Sequence, residues 1–302
     1  MKIWITGGSG FVGSHLSARL LDAGHAVVAV GRSPEFDGIR HENFRYVSAD
    51  TREAGQWQEE IREADAVVNL AGKSIFAYWT EATKKEIYDS RVETTRNITA
   101  ALDGAPGRET VLVSPSAVGY YGDRGDDILT ETSARGEGFL ADLSRDWEDA
   151  AMAAAEKGVR VVIVRFGIVL DKDGGALKQM LPPFRLGLGG PLGDGRQWFP
   201  WIHMDDLVSA ILFALAEPEI SGPLNLTAPN PVRNRQFVRA MGRVLRRPAF
   251  VPVPGFALKT ALGEFGEVLL SSQRALPVRL LDSGFHFEYP DIGPALKQLI
   301  RG

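Results

Sequence analysis

Cysteine is absent from the 302 residues, which excludes a disulfide framework, a thiol nucleophile, a thiolate zinc site and a cysteine-ligated iron–sulfur cluster. An excess of positive charge is absent too. Lys and Arg number 34 against 38 Asp and Glu, a formal net charge of −4, so no global basic field exists to hold nucleic acid or an anionic membrane. Local basic pockets remain compatible with that balance. No apolar run matches the ~20 residues of a transmembrane helix; Leu207 to Ala216 is about half that length, is broken by Ser209, and reads as a buried helix. Met1 and Lys2 lead directly into the strand-like Ile3-Trp4-Ile5, with no room for a secretory leader. A cytoplasmic chain is therefore expected, with neither membrane nor nucleic acid as partner. Histidine is sparse, at positions 15, 25, 41, 203 and 286, without the spacing of a metal-binding motif, so no metal site is expected.

Up to about residue 165, short β-branched runs alternate with longer helical patterns, the signature of βαβ units around a parallel sheet. Strands are predicted at Lys2 to Thr6, Ala26 to Val30, Phe44 to Ser48, Ala66 to Leu70, Thr110 to Ser114 and Val159 to Val164. They lack polar alternation, as central parallel strands covered on both faces do. The fold class expected is α/β: a doubly wound parallel Rossmann-type sheet with a smaller, discontinuous substrate domain. Fourteen of the 17 prolines lie after residue 180, where the regular alternation stops. A helical stretch, Asp205 to Ala216, and a strand, Leu224 to Thr227, still read as parts of the sheet domain. The division expected is 1–169 with 203–228 for the sheet domain, and 170–202 with 229–302 for the substrate domain.

Between the first strand and the helical pattern His15 to Ala23 lies Thr6-Gly7-Gly8-Ser9-Gly10-Phe11-Val12-Gly13. Gly7 suits a tight turn, Gly10 lets the backbone approach a pyrophosphate, and Gly13 permits close contact between helix and sheet. The helix N-terminus then offers unpaired N–H groups to the phosphates. Thr6, Gly7, Ser9, Gly10, Phe11 and Val12 are thus the expected cofactor-binding turn. After the second strand comes Gly31-Arg32-Ser33, where an NAD site places an acid for the ribose hydroxyls. A guanidinium pairs instead with a 2′-phosphate, so Arg32 and Ser33 point to NADP (NADPH). Asp50, and Leu70, Ala71 and Gly72 after Asn69, fall where further adenosine contacts belong; for Asp50 a simple turn role is an equal alternative.

These residues resemble the extended short-chain dehydrogenase/reductase superfamily, which includes nucleotide-sugar epimerases and dehydratases. Ser114-Pro115-Ser116, Arg165-Phe166-Gly167-Ile168-Val169, Trp201-Ile202-His203-Met204-Asp205-Asp206 and Asn225-Leu226-Thr227 continue the likeness in order. More narrowly, Ser116-Ala117-Val118-Gly119-Tyr120-Tyr121-Gly122, Gly195-Arg196-Gln197-Trp198 and Gly284-Phe285-His286-Phe287 resemble an atypical branch of epimerase-family, sugar-epimerase-related oxidoreductases. Some members of that branch carry a cell-division-inhibitor label. The region from about Pro248 to Leu296 looks like the small C-terminal domain peculiar to it. The resemblance implies a nicotinamide cofactor and no agreed substrate, and it leaves a homodimer through surface helices open.

In that superfamily a Tyr is the acid/base, a Lys four residues later lowers its pKa, and a Ser ending the fifth strand orients the substrate. Phenol, with a pKa of ~10, needs such a cation to act as a base near neutrality. Here the residues four after each Tyr are Asp50, Ala82, Val92, Arg124, Gly125 and Gly293, so the Tyr-x-x-x-Lys pair is missing. On the helix expected from Phe139 to Lys157, the Tyr position falls on Phe139 or Leu140 and the Lys position on Leu143 or Ser144. Ser116 matches the superfamily Ser by its distance from the fifth strand, with a turn-forming role beside Pro115 as an equal alternative. Tyr120, Tyr121 and His203 are the substitute proton carriers to test, against packing roles for the tyrosines and a hinge hydrogen bond for His203. Asp205 and Asp206 are read as helix caps. Trp198, Phe199 and Trp201 are read either as a stacking surface or as core, and Arg185, Arg196 and Arg233 either as diphosphate ligands or as solvated surface. The expectation is an NADP-dependent oxidoreductase or epimerase-like enzyme acting on a small carbonyl or hydroxyl substrate. The alternative is an NADP-binding sensor or scaffold without turnover.

Overall fold

The computed structural model describes residues 1–104 and 109–302. Seven strands form the main sheet: β1 (Lys2–Thr6), β2 (Ala26–Gly31), β3 (Phe44–Ser48), β4 (Ala66–Asn69), β5 (Val111–Ala117), β6 (Arg160–Phe166) and β7 (Gly222–Leu226). Their order is β7-β6-β5-β4-β1-β2-β3 and every pairing is parallel. The order reverses between β1 and β4, which opens a crevice at their carboxyl ends. Successive side chains feed two cores. Ile3, Ile5, Val113 and Val164 enter one, and Trp4, Leu112 and Ile163 the other, which is why these strands show no polar alternation.

Of the boundaries that differ from the sequence expectation, two have clear physical reasons. The first helix, α1 (Phe11–Asp22), starts four residues earlier than predicted, because Gly10 is extended and serves as its N-cap. Strand β5 continues through Pro115 to Ala117, although proline disfavours a central strand. The pairing with β4 ends at Val113, so beyond it β5 pairs only with β6 and Pro115 occupies a local edge. Along one sheet side lie α2 (Glu81–Ala101), capped by the Thr80 hydroxyl, and α3 (Phe139–Met152). They are joined by the Trp147 indole N–H, which donates to Thr95 Oγ1 at 2.9 Å.

A further core gathers α4 (Gly175–Arg185), α6 (Asn234–Leu245) and α8 (Ile292–Arg301) around Leu181, Phe184, Phe237, Met241 and Leu296. Between them, α5 (Met204–Ala216) belongs to the sheet core, and α7 (Gly255–Leu262) precedes a segment that returns to the sheet unit. In that segment Phe265 joins Trp79 and Trp147, while Leu280 and Phe285 enter the core beneath the sheet. The tail therefore straps the two parts together.

Candidate functional site

At the crevice, the turn after β1 has no room for side chains. Gly7 has φ 63°, and a Cβ there would stand 2.7 Å from the Leu70 carbonyl oxygen. The Gly10 N–H donates to the Gly7 carbonyl at 2.8 Å. A Cβ on Gly13 would lie 2.2 Å from that same oxygen, so at Gly13 α1 meets the turn directly, while Leu16 and Leu20 further along pack the helix on the sheet as expected. This leaves the first N–H groups of α1, those of Phe11, Val12 and Gly13, with no preceding helical carbonyl to bond.

Thr6, expected among the cofactor ligands, lies buried beneath the turn with its hydroxyl fully used. It donates to Asn69 Oδ1 at 2.6 Å and accepts from the Leu70 and Ala71 N–H groups at 3.0 and 3.2 Å. Thr6 thus positions the cradle. Asn69 passes the chain of bonds on to Thr95 at 2.8 Å. The Phe11 ring is also occupied: it rests on Gly174 and Gly175, where α4 begins, and so bridges the two parts. Val12 packs against the sheet core. For both residues the backbone N–H is what remains for a ligand.

Where adenosine contacts are expected, Arg32 is exposed and makes no hydrogen bond or ion pair among the described residues. Ser9 Oγ and the Tyr46 hydroxyl lie close beside Gly31, and Tyr46 donates to the Ser33 carbonyl at 2.9 Å. Asp50 is engaged by Arg52, whose Nε donates to Oδ1 at 2.9 Å and whose backbone N–H reaches the same oxygen at 3.1 Å. Those bonds hold the Asp50 carboxyl below its ordinary range. The turn reading of Asp50 thus has the geometry behind it. Sequence reading missed Arg91 of α2, whose guanidinium lies beside Gly72 and over the Trp147 ring at 5.3 Å. Its bonds go only to Ile87 O and Ser90 Oγ, and burial lowers its pKa to about 10. No carboxylate pairs with it among the described residues. Glycines without room for Cβ, free helix N–H groups and two guanidiniums without an ion pair among the described residues together fit a dinucleotide bearing a 2′-phosphate.

The second half of the site is a polar row. Parallel register aligns Ser116 of β5 with Arg165 of β6, and Arg165 with Asn225 of β7, on one sheet face. Glu148 of α3 meets the row from above. Its Oε1 accepts from Ser116 Oγ at 2.6 Å and from Arg165 Nε at 2.9 Å, and its Oε2 accepts from Arg165 Nη2 at 2.8 Å. Arg165 Nη1 donates to the Tyr121 hydroxyl at 3.0 Å, which in turn donates to Asn225 Oδ1 at 2.7 Å. Burial works against the Arg165 charge, but the bonds to Glu148 and Tyr121 outweigh it and raise its pKa. The Tyr120 ring covers the guanidinium, its centroid 3.7 Å away.

Two expected proton carriers are corrected by their surroundings. Tyr121 is fully buried, its oxygen is committed to Arg165 and Asn225, and burial pushes its pKa up to about 12. It remains a neutral structural phenol near neutrality. His203 is buried as the N-cap of α5. Its Nδ1 accepts from the Asp205 N–H at 3.1 Å, its Nε2 donates to Gln298 Oε1 at 3.0 Å, and its ring stacks on Tyr289. Asp206, read as a cap, instead accepts the Glu288 and Tyr289 N–H groups at 2.8 and 3.0 Å. Tyr120 stays half-buried, with no hydrogen-bond partner for its hydroxyl among the described residues.

On α3 the Tyr and Lys positions are apolar or buried: Phe139 packs edge-on to Trp79, Leu140 faces Gly119, and Leu143 and Ser144 are buried. Phe199 and Trp201 are core residues. Only Trp198 remains near the surface, clamped between Arg233 and Arg274 at 4.6 Å each, with its indole N–H donating to Asp126 at 2.8 Å. Arg185 and Arg196 are exposed.

The chain is similar over its whole length to the "Epimerase family protein SDR39U1 homolog, chloroplastic" of Arabidopsis thaliana, at 42% identity and covering 87% of that protein. The crystal structure of human epimerase family protein SDR39U1 (isoform 2) with NADPH superposes with a TM-score of 0.86 at 35% identity, covering 99% of both chains. The Thermus thermophilus UDP-glucose 4-epimerase complex with NAD shares the fold, with a TM-score of 0.77 at 17% identity, covering 99% of this chain and 97% of that one. Residues 253–299 match a domain of unknown function, DUF1731. With residues 3–226 matching its model, the chain belongs to the NAD dependent epimerase/dehydratase family.

Proposed function

We propose that the chain is an NADP(H)-dependent oxidoreductase or epimerase-like enzyme acting on a small carbonyl or hydroxyl substrate. The reading rests on one juxtaposition: the glycine cradle with unpaired Arg32 and Arg91 on one side of the crevice, and the Ser116 row on the strand ends beside it. The human relative, crystallised with NADPH, supports the same choice of cofactor. Gly7, Gly10 and the N–H groups of Phe11 and Val12 would hold the diphosphate with Arg91, and Arg32 with Ser33 the 2′-phosphate. Bound there, the nicotinamide supplies or accepts the hydride.

The chain's own residues handle orientation and the proton. Ser116 gives its proton to Glu148, so its lone pairs are what it offers to a substrate hydroxyl. Arg165 fixes Glu148 through two bonds and so holds that polarity in one direction. Tyr120 carries the one phenol of the row with an uncommitted hydroxyl among the described residues, and serves as the proton carrier.

A second reading, a nucleotide-binding sensor without turnover, is favoured by one observation: Ser116 is 2% exposed and already bonded, while Leu140 lies beside Gly119 next to Tyr120. Titration with NADPH and NADH, followed by nicotinamide fluorescence, and then a carbonyl-substrate screen with Ser116→Ala and Tyr120→Phe separates them. Selective NADPH binding with turnover lowered in both variants upholds the enzyme. NADPH binding with no turnover across the screen supports the sensor, and a folded, nucleotide-free preparation that binds neither nucleotide removes both.

A further inference from the structure

Between Glu219 and Glu264 the sequence contains no acidic residue, yet it carries six arginines and Lys259 in a chain whose net charge is −4. The structure concentrates five of those arginines on one outer face. Helix α6 buries Phe237, Val238 and Met241 in its core, which turns Arg235, Arg239 and Arg243 to solvent at steps of four residues. Arg246 and Arg247 follow at its C-terminal end, and Arg246 is the sole non-glycine with positive φ among the described residues, at 54°. All five are exposed, and none has a side-chain hydrogen bond or ion pair among the described residues. Several arginines elsewhere find acids: Arg45 meets Glu60, Arg52 meets Asp50 and Arg160 meets Glu109.

Exposed apolar side chains stand against this stripe. Val251 N–H donates to Gly189 O, and Val253 N–H to Pro191 O, so the segment after α6 runs beside the segment after α4. Gly187 abuts Pro248 in the same way. From these paired segments project Leu186 at 75% exposure, Leu188 at 60%, Phe250 at 75% and Val251 at 40%. Phe250 also rims an open cavity of about 350 Å³ lined by Arg239, Arg243, Arg246 and Arg247. The C-terminal end of this face, at Arg246 and Arg247, lies about 18 Å, the length of α6, from Arg233 at the other end of that helix.

Against the absence of a membrane partner expected from the net charge, we propose that this face docks on an anionic membrane surface, with the arginines on lipid phosphates and Leu186, Leu188 and Phe250 entering the boundary between headgroups and acyl chains. Unpaired guanidiniums select a dense array of phosphates. The apolar side chains protrude from loops and do not line a groove, so their partner needs apolar depth without a matching shape, which a bilayer offers. The net charge of −4 adds direction, because the attraction comes from a local face and not from the chain as a whole.

The full chain is sedimented with vesicles of phosphatidylcholine alone and of phosphatidylcholine with phosphatidylglycerol. Binding is expected only to the second, weakening as salt rises. Each arginine removed is expected to lower partitioning about five-fold, so Arg239→Gln/Arg243→Gln/Arg247→Gln loses about a hundred-fold with its thermal melt unchanged. Leu188→Ser/Phe250→Ser weakens binding while leaving every charge in place. Three results overturn the proposal: no sedimentation with anionic vesicles, equal binding by the triple variant, or retention on duplex DNA or poly-glutamate by the same arginines without vesicle binding.

Discussion

Replacing Glu148 by Gln removes one charge and nearly preserves shape, which isolates what the ion pair does for the polar row. Arg165 is 3% exposed and its counter-charge is Glu148, bonded at 2.9 and 2.8 Å. Stripping one partner from a buried pair leaves an uncompensated charge and costs about 3–5 kcal/mol, against at most about 1 kcal/mol for an exposed pair. The Tyr120 ring over the guanidinium is retained in the variant, and such a desolvated cation–π contact contributes about 2 kcal/mol. That places the expected loss at the lower end, about 3 kcal/mol. Urea unfolding followed by tryptophan fluorescence measures it as a shift in midpoint at constant slope. Adding Arg165→Met to Glu148→Gln removes the stranded charge, so the double variant is expected to be more stable than the single one. A Glu148→Gln variant within about 1 kcal/mol of the parent, or a double variant no better than the single, refutes the row as a charge-compensated unit.

Arg32→Asp is expected to weaken NADPH about ten- to hundred-fold, the worth of a charge-assisted bond, while NADH is little changed; parallel titrations that lose both equally remove Arg32 as the 2′-phosphate ligand. Arg91→Met is expected to weaken NADPH and NADH together by about ten-fold or more, because the diphosphate is common to both; unchanged affinity for either nucleotide refutes the assignment. Burial raises the Asp206 pKa, against the lowering effect of its bonds from Glu288 and Tyr289. The folded chain therefore binds its proton more readily than the unfolded chain does, and this residue's contribution to stability grows as pH falls from neutrality through its folded pKa toward the ordinary aspartate range. The stability difference between the parent and Asp206→Asn should widen in the parent's favour over that window; a difference independent of pH contradicts the sign.

What the sequence made legible is what is local. Strands β1, β2 and β4 are short apolar runs, and the glycine turn follows β1 at fixed spacing, so neither needs knowledge of distant contacts. The polar row is not local: Glu148 lies 32 residues from Ser116 and 17 from Arg165, and only register and helix packing bring the three together. Arg91 escaped because its meaning is a missing partner, a property of the folded surroundings. His203 carried the right chemistry in the right neighbourhood, but its nitrogens are committed to Asp205 and Gln298, a fact that a residue type does not encode. Trp198, Phe199 and Trp201 read as one aromatic group, yet two of them are core and one is clamped at the surface.

The strap formed by the last quarter of the chain has a consequence for the order in which this molecule is made. Asn225 Nδ2 donates to Leu276 O, Thr227 Oγ1 to Ala275 O, and the Arg279 N–H to Glu131, the same carboxylate that receives the Asn225 N–H. Buried groups at the end of β7 and in the loop before α3 thus wait for residues that leave the ribosome 48 to 148 positions later. Synthesis delivers the glycine cradle early, but the far side of the sheet keeps open donors and acceptors until Ala275, Leu276 and Arg279 have emerged. A premature stop before Arg274 would take those partners away and strip Leu280, Phe285 and Leu296 from the cores they fill, exposing apolar surface, so quality control is expected to discard nonsense products that still contain every cofactor residue.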